Sequence, residues 1–184
     1  EDMPQHLHLV QADGTGYRQL TTGDERNRQG SWSPQGDWIA FQTNQGESSL
    51  AAIHPDGGAR QPIAVGRGFT NPRWSPDGKA LLTFNTGIGG MILDLGAGFG
   101  SPVKQDLPPV SPGVLFWPIA WSPDGALVAG TAVTAGQVGD IHVWSVAERA
   151  YRRMPWNRGE QVDYSLVFTD RDTLVYGSGG ELWL

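Results

Sequence analysis

The sequence predicts an all-β fold, a β-propeller of four-stranded antiparallel blades, with about four blades present. Three observations predict it. The first is a recurring phrase: Ser31-Trp32-Ser33-Pro34-Gln35-Gly36, then Arg73-Trp74-Ser75-Pro76-Asp77-Gly78, then Ala120-Trp121-Ser122-Pro123-Asp124-Gly125. Its tryptophans stand 42 and 47 residues apart, and a further 47 residues reaches Phe168, in the worn copy Val167-Phe168-Thr169-Asp170-Arg171-Asp172. A fixed period of this length marks a repeat architecture. The second is the abundance of turn formers: 26 glycines and 13 prolines in 184 residues make long helices unfavourable. The third is that short apolar runs fall between these turns, the pattern of strands.

Each element follows from local chemistry. In the first copy, Asp37–Thr43 reads as a second strand and Ser49–His54 as a third. The second copy offers Ala80–Asn85 and Gly90–Leu95 in the same roles. The third copy is the most complete. Leu115–Trp121 is an apolar run bounded by turn residues, hence a buried first strand. Ser122-Pro123-Asp124-Gly125 then reverses the chain: proline presets φ, aspartate bonds nearby backbone, and glycine accepts positive φ. Ala126–Ala132 and Asp140–Val146 follow as second and third strands, the latter rich in β-branched residues. Ala150–Met154 is a short polar fourth strand, suited to an outer edge where charge blocks unwanted pairing. In the worn copy, Thr173–Gly177 and Glu181–Leu184 are the second and third strands.

A four-stranded sheet cannot bury both faces alone; copies arranged radially bury sheet on sheet, with the most apolar strand innermost. The repeated tryptophans Trp32, Trp74 and Trp121, with Phe168, are therefore expected in the core between adjacent blades. The whole chain, 1–184, is expected to form one propeller domain: a partial blade over 1–22, blades over 23–65, 66–110 and 111–156, and a partial blade over 157–184.

At the Trp-Ser-Pro-Asp-Gly phrases the chain resembles the TolB-like family of β-propeller repeats, relatives of WD-type repeats. The resemblance extends to the N-terminus. His6–Thr21 looks like the third and fourth strands of a preceding blade, joined by an Ala12-Asp13-Gly14-Thr15-Gly16 turn usual in the family. Ile53-His54-Pro55-Asp56-Gly57-Gly58 is a second copy of that turn. Departures are Gln35 in place of Asp, and the fourth copy, where Phe replaces Trp. Members of the family usually have six or more blades, so several arrangements fit: a piece of a longer propeller, a closed four-bladed ring latched by the N-terminal strands, or two chains pairing as a homodimer to complete a larger ring. The end of the sequence inside a strand, and its start at Glu1, favour the piece.

Composition narrows the function. There are no cysteines, which removes disulfides, thiol chemistry and cysteine-ligated zinc. The net charge of −6, with Lys79 and Lys104 the only lysines, argues against a nucleic-acid partner. No apolar run is long enough to cross a bilayer, so no direct membrane insertion is expected, and no signal-peptide pattern opens the chain.

Chemical signatures are sparse. No Gly-x-Ser-x-Gly elbow, phosphate loop or dinucleotide fingerprint occurs. Ser178, in Gly177-Ser178-Gly179-Gly180, reads as part of a hairpin loop, and Gly96-Ala97-Gly98-Phe99-Gly100 as a loop between outer strands. His6 and His8 share a strand face but have no third ligand nearby. Asp13, Asp56, Asp77 and Asp124 each precede glycine and mark turns, and Asp170 and Asp172 lie in the degenerate turn. No catalytic, cofactor-binding or metal-ligating residue is expected, and no cofactor.

One constellation stands apart from packing. Trp117 lies four residues before Trp121, where the other copies have Arg28, Thr70 and Tyr164. In propellers this end of the first strand faces the central funnel. Arg26, Arg28, Arg73, Trp117, Asp163 and Tyr164 are thus candidates to ring one opening, with Trp and Arg as anchors for a protein or peptide partner. The competing assignment has Trp117 plugging the channel and the charges solvated. The TolB resemblance implies a non-enzymatic partner-binding module in a bacterial envelope, periplasmic or otherwise extracytoplasmic. Two alternatives remain: the substrate-gating propeller of a larger prolyl-oligopeptidase-type serine peptidase, and a glycan-binding or lyase propeller.

Overall fold

The computed structural model describes residues 3–46, 49–63, 65–134, 137–154, 162–178 and 181–183; for 137–138, 162–165, 178 and 181–183 it describes the backbone alone. Among these residues there are seventeen strands and no helix. An N-terminal hairpin pairs β1 (His8–Leu9) with β2 (Arg18–Gln19). The first blade holds β3 (Asn27–Trp32), β4 (Ile39–Thr43), β5 (Leu50–Ile53) and β6 (Gln61–Ile63). The second holds β7 (Phe69–Trp74), β8 (Ala80–Asn85), β9 (Gly89–Asp94) and β10 (Val103–Asp106). The third holds β11 (Leu115–Trp121), β12 (Leu127–Thr134), β13 (Gln137–Ser145) and β14 (Ala150–Arg153). The fourth has three strands, β15 (Val162–Phe168), β16 (Leu174–Ser178) and β17 (Glu181–Trp183). Every sheet is antiparallel and runs in chain order from inner to outer strand. The hairpin and the fourth blade are separate sheets, so these strands form successive blades and not a ring closed by shared pairing.

The turn phrase folds as its chemistry dictates. The Ser75 hydroxyl donates to Asp77 Oδ1 at 2.6 Å and accepts from the Ala80 N–H at 2.9 Å, so one side chain ties both ends of the turn. Ser122 does the same with Asp124 and Leu127. These hydrogen bonds hold the Asp77 and Asp124 carboxyls below their ordinary pKa. Gly78 closes the turn at φ 71°, a left-handed conformation costly for residues with a Cβ. In the first blade, Asp37 replaces the missing turn aspartate and accepts from Ser33 at 2.6 Å. Gln35 is thereby released, and its amide donates to Asp77 O in the next blade's turn.

Blades pack face to face through aliphatic clusters. Ala40, Leu50, Ala52 and Ile63 of the first blade meet Phe69, Leu81, Met91 and Leu93 of the second, and all are buried. Leu82, Ile92 and Leu107 then meet Phe116, Val128 and Trp144 of the third. A smaller cluster, Ile119, Ile141, Leu166 and Tyr176, joins the third blade to the fourth. At the start, Leu7, Leu9 and Leu20 of the hairpin cover Ile39, Phe41, Ala51 and Ile53, the arrangement expected of a preceding blade's outer strands. The inner strands approach their neighbours closely: a Cβ on Gly130 would sit 2.1 Å from Trp117 O, so only glycine fits there.

The repeated tryptophans do not share one environment. Trp74 is half-buried, and its indole N–H donates to Ser31 O of the preceding blade at 3.1 Å. Trp121 repeats this bond to Arg73 O at 3.4 Å. Trp32, expected in the core, is 49% exposed. The physical reason is positional: its bond would reach back to the inner strand of a preceding blade, and the described residues before it supply only the β1–β2 hairpin.

This difference is measurable. Trp74→Ala should destabilise by about 3 kcal/mol, through lost packing and a lost hydrogen bond. Trp32→Ala should cost less than about 1 kcal/mol. Denaturant melts of both variants check this, and equal losses would contradict the arrangement.

Candidate functional site

The first three inner strands carry a register shift at equivalent places: between Arg28 and Ser31, between Thr70 and Arg73, and between Pro118 and Ala120. Such bulges bend a strand and re-aim its side chains. In the first two, the bulge holds a non-glycine residue at positive φ, Gln29 at 57° and Asn71 at 55°. This backbone strain is offset between blades. Gln29 Oε1 accepts from the Asn71 N–H at 2.9 Å and from the Thr70 hydroxyl at 2.5 Å.

The strand before the first bulge presents arginines. Arg28 Nε donates to Gln42 Oε1 at 2.9 Å, which fixes the guanidinium against its cross-strand neighbour. The Arg26 N–H donates to Asn44 Oδ1 at 2.8 Å, joining this strand to the β4–β5 connection. Asp24, Arg26, Arg28, Gln42, Thr43 and Asn44 enclose a polar pocket of about 170 Å³. A second pocket of about 240 Å³ shares Gln42, Thr43 and Asn44 and extends to Arg67 and Gly68. Together they make a groove lined by three arginines, the amide residues Gln42 and Asn44, and one acid, Asp24. Guanidiniums recognise planar anions, carboxylates above all, by paired N–H donors.

The structure gathers only part of the predicted set. Arg26 and Arg28 share the pocket. Arg73 lines neither pocket; it is half-buried, its Nη1 donates to Pro72 O at 3.3 Å, and burial lowers its pKa from the ordinary arginine value. Asp163 and Tyr164 lie on β15, and their side chains are outside the described residues. Trp117 stacks on Phe84 of the preceding blade, with ring centroids 4.5 Å apart and planes 6° from parallel, and packs against Ile119, Ile141, Leu166 and Tyr176.

That stack has a counterpart. The positions of Trp117 and Phe84 correspond, one blade earlier, to Thr70 and Gln42, whose side chains are hydrogen-bonded at 3.2 Å. The same pair of positions thus joins neighbouring blades, once by a polar bond and once by aromatic stacking. Sequence reasoning missed Asp24, Gln42, Asn44 and Arg67. One signal points to Asp24 and Arg67: both lie in the connections that precede inner strands.

Elsewhere, His8 stacks on Tyr17 and shares a 2.8 Å hydrogen bond with its hydroxyl. Asp170 accepts from the Asp172 and Thr173 N–H groups and so rebuilds the worn turn. Among the described residues, no three His, Asp or Glu side chains converge on a point that would hold a metal ion, and no helix is long and apolar enough to cross a membrane.

No protein-family model matches the chain. A stretch of 78 residues, 41% of the chain, is 37% identical to dipeptidyl-peptidase 5 of Porphyromonas endodontalis and spans 11% of that protein. Among solved structures, the TolB candidate of Agrobacterium tumefaciens superposes with a TM-score of 0.73 at 17% identity, over 100% of this chain and 66% of that one. An oligogalacturonate lyase of Vibrio parahaemolyticus gives 0.71 at 11% identity, over 98% and 54%. A prolyl endopeptidase gives 0.64 at 16% identity, over 93% and 28%.

The stacked geometry makes Trp117 a packing residue. Trp117→Ala should lower stability by about 3 kcal/mol. An unchanged thermal melt would return Trp117 to the funnel surface. On blade architecture and superposition alike, the chain has the β-propeller fold seen in TolB-like proteins.

Proposed function

We propose that this chain is a non-enzymatic propeller module that binds an acidic segment of a protein or peptide partner at the funnel end of its first blade. One observation carries the reading: Arg26 and Arg28 line one polar pocket in which Asp24 is the only acid, within a chain whose net charge is −6. A cationic groove on an acidic protein attracts anionic segments selectively, because the surrounding charge repels them elsewhere. Likeness in fold to the TolB candidate supports an extracytoplasmic setting.

A second reading is favoured by a separate observation. The 78-residue match to dipeptidyl-peptidase 5, with the fold likeness to a prolyl endopeptidase, supports the substrate-gating propeller of a larger serine peptidase. In that case the same arginines would meet substrate peptides, and the catalytic residues would lie on another domain. The two readings part on the native gene product: a Gly-x-Ser-x-Gly elbow in an α/β-hydrolase domain supports the peptidase.

The groove itself is tested by charge reversal. Hexaglutamate labelled at its N-terminus should bind the wild-type protein at low salt and weaken as salt rises. Arg26→Glu combined with Arg28→Glu should weaken binding at least about tenfold while leaving the thermal melt in place. Equal binding by both proteins, measured by fluorescence anisotropy, would remove the groove from the function.

A further inference from the structure

The chain enters each of the first three blades through a connection from the preceding outer strand, and a donor at the blade's own outer edge ties that connection down. In the second blade, Trp74 pairs with Leu81, Leu81 with Leu93 and Leu93 with Lys104, whose Nζ donates to Val65 O at 3.4 Å. In the third, the same path from Trp121 through Val128 and Trp144 ends at Tyr151, whose hydroxyl donates to Pro108 O at 2.6 Å. In the first, Trp32 pairs with Ile39 and Ile39 with Ile53; Ala52 pairs with Gln61, which places Arg60 opposite Ile53. Arg60 Nη2 donates to Glu25 Oε1 at 3.2 Å. Arginine, lysine and tyrosine thus make the same strap from one repeat position.

Two of these straps hold parts of the arginine groove. Glu25 lies between Asp24 and Arg26, which line the first pocket. Val65 lies two residues before Arg67, which with Gly68 lines the second. The connection that holds Pro108 lines neither. The Arg60 strap also differs in joining two full charges. The side chains of Arg60 and Glu25 are 29% and 18% exposed, so the pair is largely withdrawn from water. The Gln45 amide donates to the same Glu25 oxygen, and Gln45 follows Asn44, whose Oδ1 accepts from the Arg26 N–H. Removing the Arg60 guanidinium leaves a mostly buried carboxylate held by a neutral amide. That arrangement is costly, and the carboxylate regains hydration by moving outward.

We infer that Arg60 is a positioning residue for the groove: it lines neither pocket, and from the outer edge of the first blade it fixes the connection that carries Arg26. The inference rests on the groove being the binding surface. Glu25 and Arg26 are adjacent, so a displaced carboxylate moves the next residue through a single rigid peptide plane. An affinity set at the funnel mouth is therefore adjustable from the blade's periphery, at a residue that no ligand in the groove touches.

Amide hydrogen exchange and hexaglutamate anisotropy, both on the whole protein, test this. The Arg26 and Asn27 amides donate to Asn44 Oδ1 and Gln5 O. Arg60→Met should speed their exchange at least about threefold and weaken hexaglutamate binding by a similar factor. Arg60→Lys, which keeps a charged donor, should stay within about twofold of the wild type. Glu25→Ala separates the strap from simple charge. Removing an acid beside Arg26 would by charge alone tighten anion binding, whereas loss of the strap weakens it at least about threefold. Tyr151→Phe cuts the third-blade strap and should leave hexaglutamate binding unchanged. Wild-type exchange at Arg26 and Asn27 in Arg60→Met, unchanged or tighter binding by Glu25→Ala, or equal weakening by Tyr151→Phe overturns the inference. If the wild-type protein does not bind hexaglutamate, the groove reading falls, and the exchange rates alone decide whether Arg60 fixes the connection. Should Arg60→Met not fold, Glu25→Ala decides by the same two readouts.

Discussion

The hydrogen bond from an indole N–H to the inner strand of the preceding blade orders this structure. Trp74 makes it to Ser31 O and Trp121 to Arg73 O. A tryptophan at this position does two things at once. Its ring adds apolar area between sheets, and its single donor fixes the height of one blade against the next. A carbonyl oxygen has two lone pairs, so Ser31 and Arg73 can accept this bond alongside any ladder partner. Packing alone would let two apolar sheet faces slide; the indole bond gives the slide one preferred position. At the fourth blade Phe168 has no N–H to offer. There the turns are joined by Arg171 and Asp124, and packing rests on a smaller apolar cluster.

This dependence explains which features were legible in the sequence. Turn and strand identities were, because they arise from contacts a few residues apart. Ser75, Asp77 and Gly78 make their own turn wherever the blade sits, and the strands Ala80–Asn85 and Leu115–Trp121 fall where the apolar runs place them. The environment of each tryptophan was not. Trp32 and Trp74 have the same local phrase, yet one is half exposed and the other bonded across an interface. A local motif states what a residue offers and is silent on whether a neighbour receives it. Phe99 shows the converse, since a glycine-rich loop that looked featureless carries the ring wedged between two blades.

The candidate site divides along the same line. Arg26 and Arg28 were visible because the entrance of an inner strand is a position the repeat defines. Gln42 and Asn44 come from the far end of the second strand and the turn beyond it, and only the strand pairing brings them to the arginines. Asp37 rescued the turn in which Gln35 stands, a compensation two residues away that no single position reveals.

The pairing of Gln42 with Thr70, and of Phe84 with Trp117, shows how one scaffold changes its chemistry from blade to blade. These are the same two repeat positions facing each other across neighbouring sheets. Where both are polar, the junction is hydrophilic and leaves Arg28 an amide to lean on. Where both are aromatic, the junction is sealed and offers a ligand no donors. A mismatch, a ring facing an amide, would bury a polar group without a partner. The two positions are therefore constrained as a pair and not singly. The polar junction sits beside the arginine pocket and the aromatic one beside the third-blade core. Trp117, which looked like an anchor when read alone, belongs to Phe84.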